Sequence, residues 1–188
     1  DSLLRSVHQL FHTFPEAQRA GSGQLTPRVL IVGIGSPHGD DQAGWIAIQT
    51  LRKQIAEVVL TRCDLKTATV PLDLTDWVSD VGELHVIDAA DMNVKCGGFV
   101  RMDYAPQHAG GESLSVLRSA REEGVHGFGL LAVLQLMQRT GRLPRKVILW
   151  AISGQDFSPA NTTLSKDMMA GIDQLVGCLA AKLRTGPA

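Results

Sequence analysis

The sequence predicts an α/β layered fold on a mostly parallel sheet, and three observations carry that expectation. Continuous apolar runs such as "RVLIVGIG" suit strands buried on both faces. Between them lie segments whose apolar residues recur every three or four positions, as on amphipathic helices. The two kinds alternate along the chain, the pattern of strands joined by helical crossovers. At 188 residues the chain has the length of one domain with a substantial core. Residues 28–188 form that domain, and residues 1–27 are read as an extension before it.

In the extension, Leu3, Val7, Leu10 and Phe14 fall at helical spacing and Pro15 ends the helix, after which "AGSGQLTP" reads as a linker. The first strand starts at Arg28. Gly44, Ile48, Leu51 and Ile55 mark the helix that follows it. "EVVLTRCD" is expected as the second strand, "VPLDLTDWVSD" as a short helix entered through Pro71, and "ELHVIDAAD" as the third strand. "GGFVRMDY" is a fourth strand of unassigned direction. Residues 104–126 are rich in glycine and polar residues, with a short helix near Ser113 to Arg121. "GFGLLAVLQLMQRTG" is apolar nearly all round and reads as a buried helix, and "RKVILWAIS" as a fifth strand. Met168, Ile172, Leu175, Leu179 and Leu183 line one face of a C-terminal helix, with Ser165 or Thr163 as its N-cap.

Composition narrows the function. Hydrophobic residues make up 44% and charged residues 20%, and the formal net charge is -1. Such a chain has no global field to attract nucleic acid or an anionic membrane. Cys63, Cys96 and Cys178 are odd in number and widely spaced, which suggests neither a disulfide framework nor a thiolate zinc site and fits a reducing cytoplasm. No apolar run reaches the roughly 18–20 residues of a membrane span.

Ligands of open α/β sheets sit beyond the carboxyl ends of the strands, where the strand order reverses. In the common doubly wound orders the first and third strands meet there, so the loops after residues 34 and 88 face one crevice. The first holds Asp40 and Asp41; the second begins with Asp88 and has Asp91 three residues on. The arrangement argues against a nucleotide and leaves a nucleotide-binding module a distant reading, because the third glycine of a dinucleotide fingerprint is replaced by His38, Gly39 comes one place late, and no phosphate-loop lysine is present. Carboxylates converging on one crevice repel each other unless a cation or proton intervenes, and a metal is the simplest remedy. His126, at the start of a buried helix after a long loop, completes an oxygen, oxygen, nitrogen donor set suited to nickel, zinc, manganese or iron. His38 and His108 are possible neighbours. Singly, each of these residues reads as a cap or turn residue; their joint appearance at strand ends and a helix start marks a site.

Three motifs, "GIGSPHGDDQAG", "HVIDAAD" and "HGFGLLAVL", together resemble the hydrogenase maturation endopeptidases, which trim the C-terminal extension from the large subunit of nickel-iron hydrogenases. The resemblance runs in order from about residue 28 to residue 183. It implies a twisted, five-stranded sheet covered by helices on both faces, and places the metal-contacting residues at Asp41, Asp88 and His126. Asp64, in "CDLKT", falls where the family has an Asp-Gly-Gly-Thr turn implicated in substrate recognition, but Leu65 and Lys66 replace the glycines. Ser36 replaces the family's asparagine, and the loop from Gly35 to Gly44 looks one residue short.

The reading is an endopeptidase acting on a hydrogenase large-subunit precursor, with Asp41, Asp88 and His126 recognising nickel already held by that precursor. Zinc or another divalent cation is the alternative metal. A water with Asp40 or Asp41 as general base is the expected attacking group. The other readings are a self-contained metallohydrolase of small amides and a non-catalytic chaperone of the large subunit. Neither nucleic acid, membrane nor nucleotide is an expected partner.

Overall fold

Five strands form one sheet in the order β2-β1-β3-β5-β4. They are β1 (Arg28–Ile34), β2 (Cys63–Ala68), β3 (Val81–Ala90), β4 (Phe99–Asp103) and β5 (Lys146–Ser153). The computed structural model describes residues 28–92, 94–105 and 129–185. The extension 1–27, the helix expected near Ser113 to Arg121, His108 and His126 therefore lie outside the described residues. β1, β2, β3 and β5 run parallel, and β4 pairs antiparallel with β5. The expected α/β sheet is thus present, with the unassigned fourth strand now given its direction.

Helices cover both faces, because the central strands are apolar on both sides. One face carries α1 (Ala43–Gln54), the single-turn α2 (Glu57–Leu60) and α5 (Lys166–Thr185), which pack on Ile31, Ile87, Ile148 and Ile152. The other carries the single-turn α3 (Leu74–Trp77) and α4 (Leu130–Arg139), packed on Leu30, Val32, Val86 and Leu149. The predicted apolar stripe of the C-terminal helix is that of α5: Met168, Ile172, Leu175 and Leu179 are fully buried. Its N-cap is Ser165, whose Oγ accepts the Met168 N–H at 3.2 Å.

The second strand differs from expectation. "EVVLTRCD" splits into α2 and the start of β2, and the sheet pairing uses residues 63–68. Val59 turns into the core under α1. β2 is an edge strand with one row of peptide groups outside the sheet, so its polar "CDLKTA" alternation meets water and lacks the apolar run that marks a central strand. The Asp-Gly-Gly-Thr turn that the resemblance placed at residues 64–67 is likewise a regular strand here. Leu65 and Lys66 pair with Ile31 and Val32 of β1, which requires no positive φ.

α1 crosses β1 closely enough that two positions admit no side chain. A Cβ on Gly33 would lie 1.9 Å from the Gly44 carbonyl oxygen, and one on Gly44 would lie 2.1 Å from that of Ile34 and 2.8 Å from that of Ile87. The helix N-terminus is thereby seated over the carboxyl ends of both β1 and β3. Trp45 fastens it sideways by donating its indole N–H to the Ala68 carbonyl at 2.8 Å.

Candidate active site

β1 and β3 are neighbours, so the chain reverses its direction of winding between them and the crevice lies where expected. A single 3-10 turn, Gly39–Gln42, joins the end of β1 to α1 and packs against β3. This short turn carries both aspartates. Asp40 is 1% exposed, Asp41 8% and Asp88 8%. Asp88 lies on the same face of β3 as Leu84 and Val86, the face covered by α3 and α4.

The two adjacent aspartates have different surroundings. Asp40 Oδ2 accepts the backbone N–H groups of Gln155 at 3.0 Å and Asp156 at 3.3 Å, and Oδ1 accepts that of Ser165 at 3.1 Å. The Cys96 thiol approaches Oδ2 at 3.7 Å. Burial alone would raise the pKa of this carboxyl, but the amide donors of Gln155, Ser165 and Asp156 outweigh it and hold the group below the usual aspartate value. The return contacts are as regular: Asp40 N–H donates to the Asp156 carbonyl at 2.7 Å and Gly39 N–H to that of Asn161 at 2.8 Å. Gly39 adopts a φ of 45°, and a Cβ there would meet the Asp156 carbonyl oxygen at 2.2 Å.

Asp40 therefore clamps the loop 154–165, between β5 and α5, onto the turn that presents Asp41. Three backbone N–H groups occupy most of its acceptor sites, so it holds the loop to the turn. Asp156 and Asn161 brace the loop internally, the Asn161 amide donating to Asp156 Oδ2 at 2.6 Å. Gln42 ties the turn to it by donating to the Thr162 carbonyl at 2.9 Å.

Asp41 and Asp88 are thus two buried carboxylates at the strand ends. Among the described residues no three His, Cys, Asp or Glu side chains converge as a metal-binding group, and the expected third ligand, His126, is outside them. His38 precedes the turn and its Nδ1 is buried with no hydrogen-bond partner among the described residues. Asp64 lies on β2, where Arg28 Nε meets its Oδ2 at 2.7 Å. That pair is partly exposed and sits at the opposite end of β1 from the Asp40-Asp41 turn.

Two features were not singled out from sequence. The loop 154–165 has a signal in its run of Asp, Asn, Ser and Thr, residues that form local side-chain turns. The other is a polar network beneath α5. His85 is fully buried; its Nε2 lies 2.8 Å from Glu83 Oε1, and the Trp150 indole N–H donates to its Nδ1 at 3.0 Å. With Nδ1 accepting, the imidazole is neutral and carries its proton on Nε2, donated to the carboxylate. The His85 hydrogen bond draws the Glu83 pKa down to about 2 against the opposing effect of burial, with help from Lys146 and Lys182. Burial lowers that of His85.

Comparison with known proteins agrees with this architecture. The HycI family of hydrogenase maturation proteases matches residues 65–182, a span that starts within β2 and includes β3 to β5, Asp88 and His126. No curated protein matches the sequence. The fold is similar to that of the hydrogenase maturating endopeptidase HybD from E. coli, with a TM-score of 0.65 at 18% identity over 84% of this chain and 93% of that one. It is also similar to a [NiFe] hydrogenase maturation protease HycI from Thermococcus kodakarensis, with a TM-score of 0.60 at 17% identity over 86% and 95%. A HybD protease from the same archaeon aligns with a TM-score of 0.56 at 22% identity, over 83% and 98%. With more than half of its length matched by the family, this chain belongs to the hydrogenase maturation proteases.

Proposed function

We propose that this chain is the endopeptidase that removes the C-terminal extension from a nickel-iron hydrogenase large-subunit precursor once nickel is in place. The observation that carries this reading is that Asp41, buried on the turn after β1, is packed against β3, which presents the buried Asp88 near its carboxyl end. Asp41, Asp88 and His126 contact the nickel that the precursor brings, so that the metal docks the substrate and reports its own insertion. A zinc ion or another divalent cation suits the same oxygen and nitrogen donors.

Cleavage needs a water to attack the scissile carbonyl and a base to take its proton. Asp41 is assigned as that base. The proton then passes to the leaving amine as the carbon–nitrogen bond breaks. The β5–α5 loop contributes by fixing the Asp41 turn, since a displacement of about 1 Å in a reacting group can cost about 100-fold in rate.

The test is mass spectrometry of a cognate large-subunit precursor incubated with the protein, in matched nickel-loaded and nickel-free samples. Loss of one C-terminal peptide from the loaded sample alone is the expected result. Cleavage of both would discard the nickel dependence, and cleavage of neither would overturn the assignment.

A further inference from the structure

Among the described residues, the outer edge of β2 has no neighbouring strand and lies in a groove of about 570 Å³ between α1 and α3, inside the roughly 300–1,000 Å³ range of ligand clefts. Its apolar lining is Ile48, Leu65 and Trp77. Its charged residues are Arg52, Lys53 and Lys66, and no carboxylate among the described residues lines it. Leu65 and Thr67 share the α1 face of the strand, while Lys66 points to the α3 face with its ammonium 4.5 Å from the centre of the Trp77 ring.

The hydrogen-bond phase of the sheet decides which peptide groups are available. Val29 N–H donates to the Arg62 carbonyl and Gly35 N–H to that of Ala68, so in this parallel pairing the even-numbered residues of β2 bond to β1. The N–H and C=O groups of Leu65 and Thr67 consequently face outward. The Leu65 carbonyl is covered by Arg52, whose guanidinium donates to it at 3.2 Å; Thr67 is exposed.

We propose that this edge docks an extended, acidic peptide segment that adds to the sheet as a sixth strand. Its backbone would bond to the outward groups of Leu65 and Thr67, the mode in which main-chain pairing supplies affinity and alternate side chains supply specificity. Because successive side chains of a strand point to opposite faces, carboxylates at alternate positions meet Arg52 and Lys53 on the α1 side. The residue between them meets Lys66 on the α3 side. An incoming N–H takes over the Leu65 carbonyl from Arg52 and releases the guanidinium to a carboxylate. β2 ends at Ala68, which bonds to Gly35 and Trp45 beside the crevice, so the docked segment leads toward Asp41. Identifying its source as the large-subunit precursor rests on the function proposed above; the docking itself does not.

The test uses the full chain and no cleavage. The probes are two fluorescein-labelled octapeptides, one alternating glutamate with valine and the other lysine with valine, read by anisotropy and by amide hydrogen exchange. The expected result is saturable binding of the glutamate peptide alone, with exchange at Leu65 and Thr67 slowed. Binding should weaken roughly tenfold or more in Arg52→Glu/Lys66→Glu, since reversing exposed charges changes pair energies only modestly at each site. Thr67→Pro removes an outward N–H without touching the bonds to β1 and should also abolish binding. Equal binding of both peptides, binding of neither, or binding without a change at Leu65 and Thr67 would overturn the proposal. So would protection of those two amides in the free protein, which would mean that the chain covers its own edge. Failure of precursor cleavage with intact peptide binding would count against the protease reading alone.

Discussion

The Asp40 carboxylate accepts the backbone N–H of Ser165 at 3.1 Å, joining positions 125 residues apart. This bond, with those to Gln155 and Asp156, makes the start of α1 and the start of α5 one unit. It ties Asp40 to a loop that is remote in sequence, and so fixes the turn that carries the neighbouring Asp41.

Replacing Asp40 with asparagine should cost stability before it costs chemistry. An amide group must turn an N–H donor toward either Ser165 or the Gln155 and Asp156 donors, and a lost charged hydrogen bond in a buried setting costs about 1.5–3 kcal/mol. Urea unfolding should show a lower midpoint with an unchanged slope. The deficit also has a pH signature. The folded pKa of Asp40 lies below the usual aspartate value, so its contribution is complete above the unfolded value and disappears as pH falls through the folded one. The gap between wild type and Asp40→Asn should therefore close in acid and remain constant near neutrality.

His85 gives a different acid limb. Its folded pKa is depressed by burial, so as pH falls below the ordinary histidine value the unfolded chain takes up a proton that the folded chain refuses. Stability should fall over that interval, above the range where carboxylates titrate. Glu83, held at about 2, adds a second decline between the ordinary glutamate value and about 2. In His85→Gln the first limb should flatten relative to wild type, as measured by denaturant titrations across pH. A difference between the two proteins that stays constant with pH would contradict the neutral, buried imidazole.

Two glycines should respond in opposite directions to alanine. Gly44→Ala places a methyl 2.1 Å from a backbone oxygen, and forcing α1 off β1 should cost at least about 1–3 kcal/mol. Gly177 lies in α5, and a methyl there would meet no atom of the described residues within 4 Å, so Gly177→Ala should stabilise by about 0.5–1 kcal/mol. Thermal unfolding of the pair checks both signs.

The legible parts were those set by local pattern. β1 and β5 are central strands with long apolar runs, β3 is a central strand whose apolar residues are interrupted by Glu83, His85 and Asp88, and their order sets the turn that bears Asp41 against β3. β2 was displaced by several residues, because an edge strand is half polar and "EVVL" looks more like a strand than "DLKT" does. The role of Asp40 could not be read from "GDDQ", since nothing local distinguishes the two aspartates. The difference is made by three amides from residues 155–165, brought there by the packing of α5. His85 looked ordinary inside its strand, and its partners Glu83 and Trp150 become partners only when β3 and β5 pair.

The assignment of Asp41 as the base is tested most directly by the mass of a nickel-loaded precursor after incubation with Asp41→Asn, at equal folded fraction to wild type by far-UV circular dichroism. An uncut precursor is expected with Asp41→Asn, and a cut one with whatever fraction of Asp40→Asn is folded. Complete processing by Asp41→Asn would contradict the assignment, because the carboxylate assigned to the chemistry would then be dispensable.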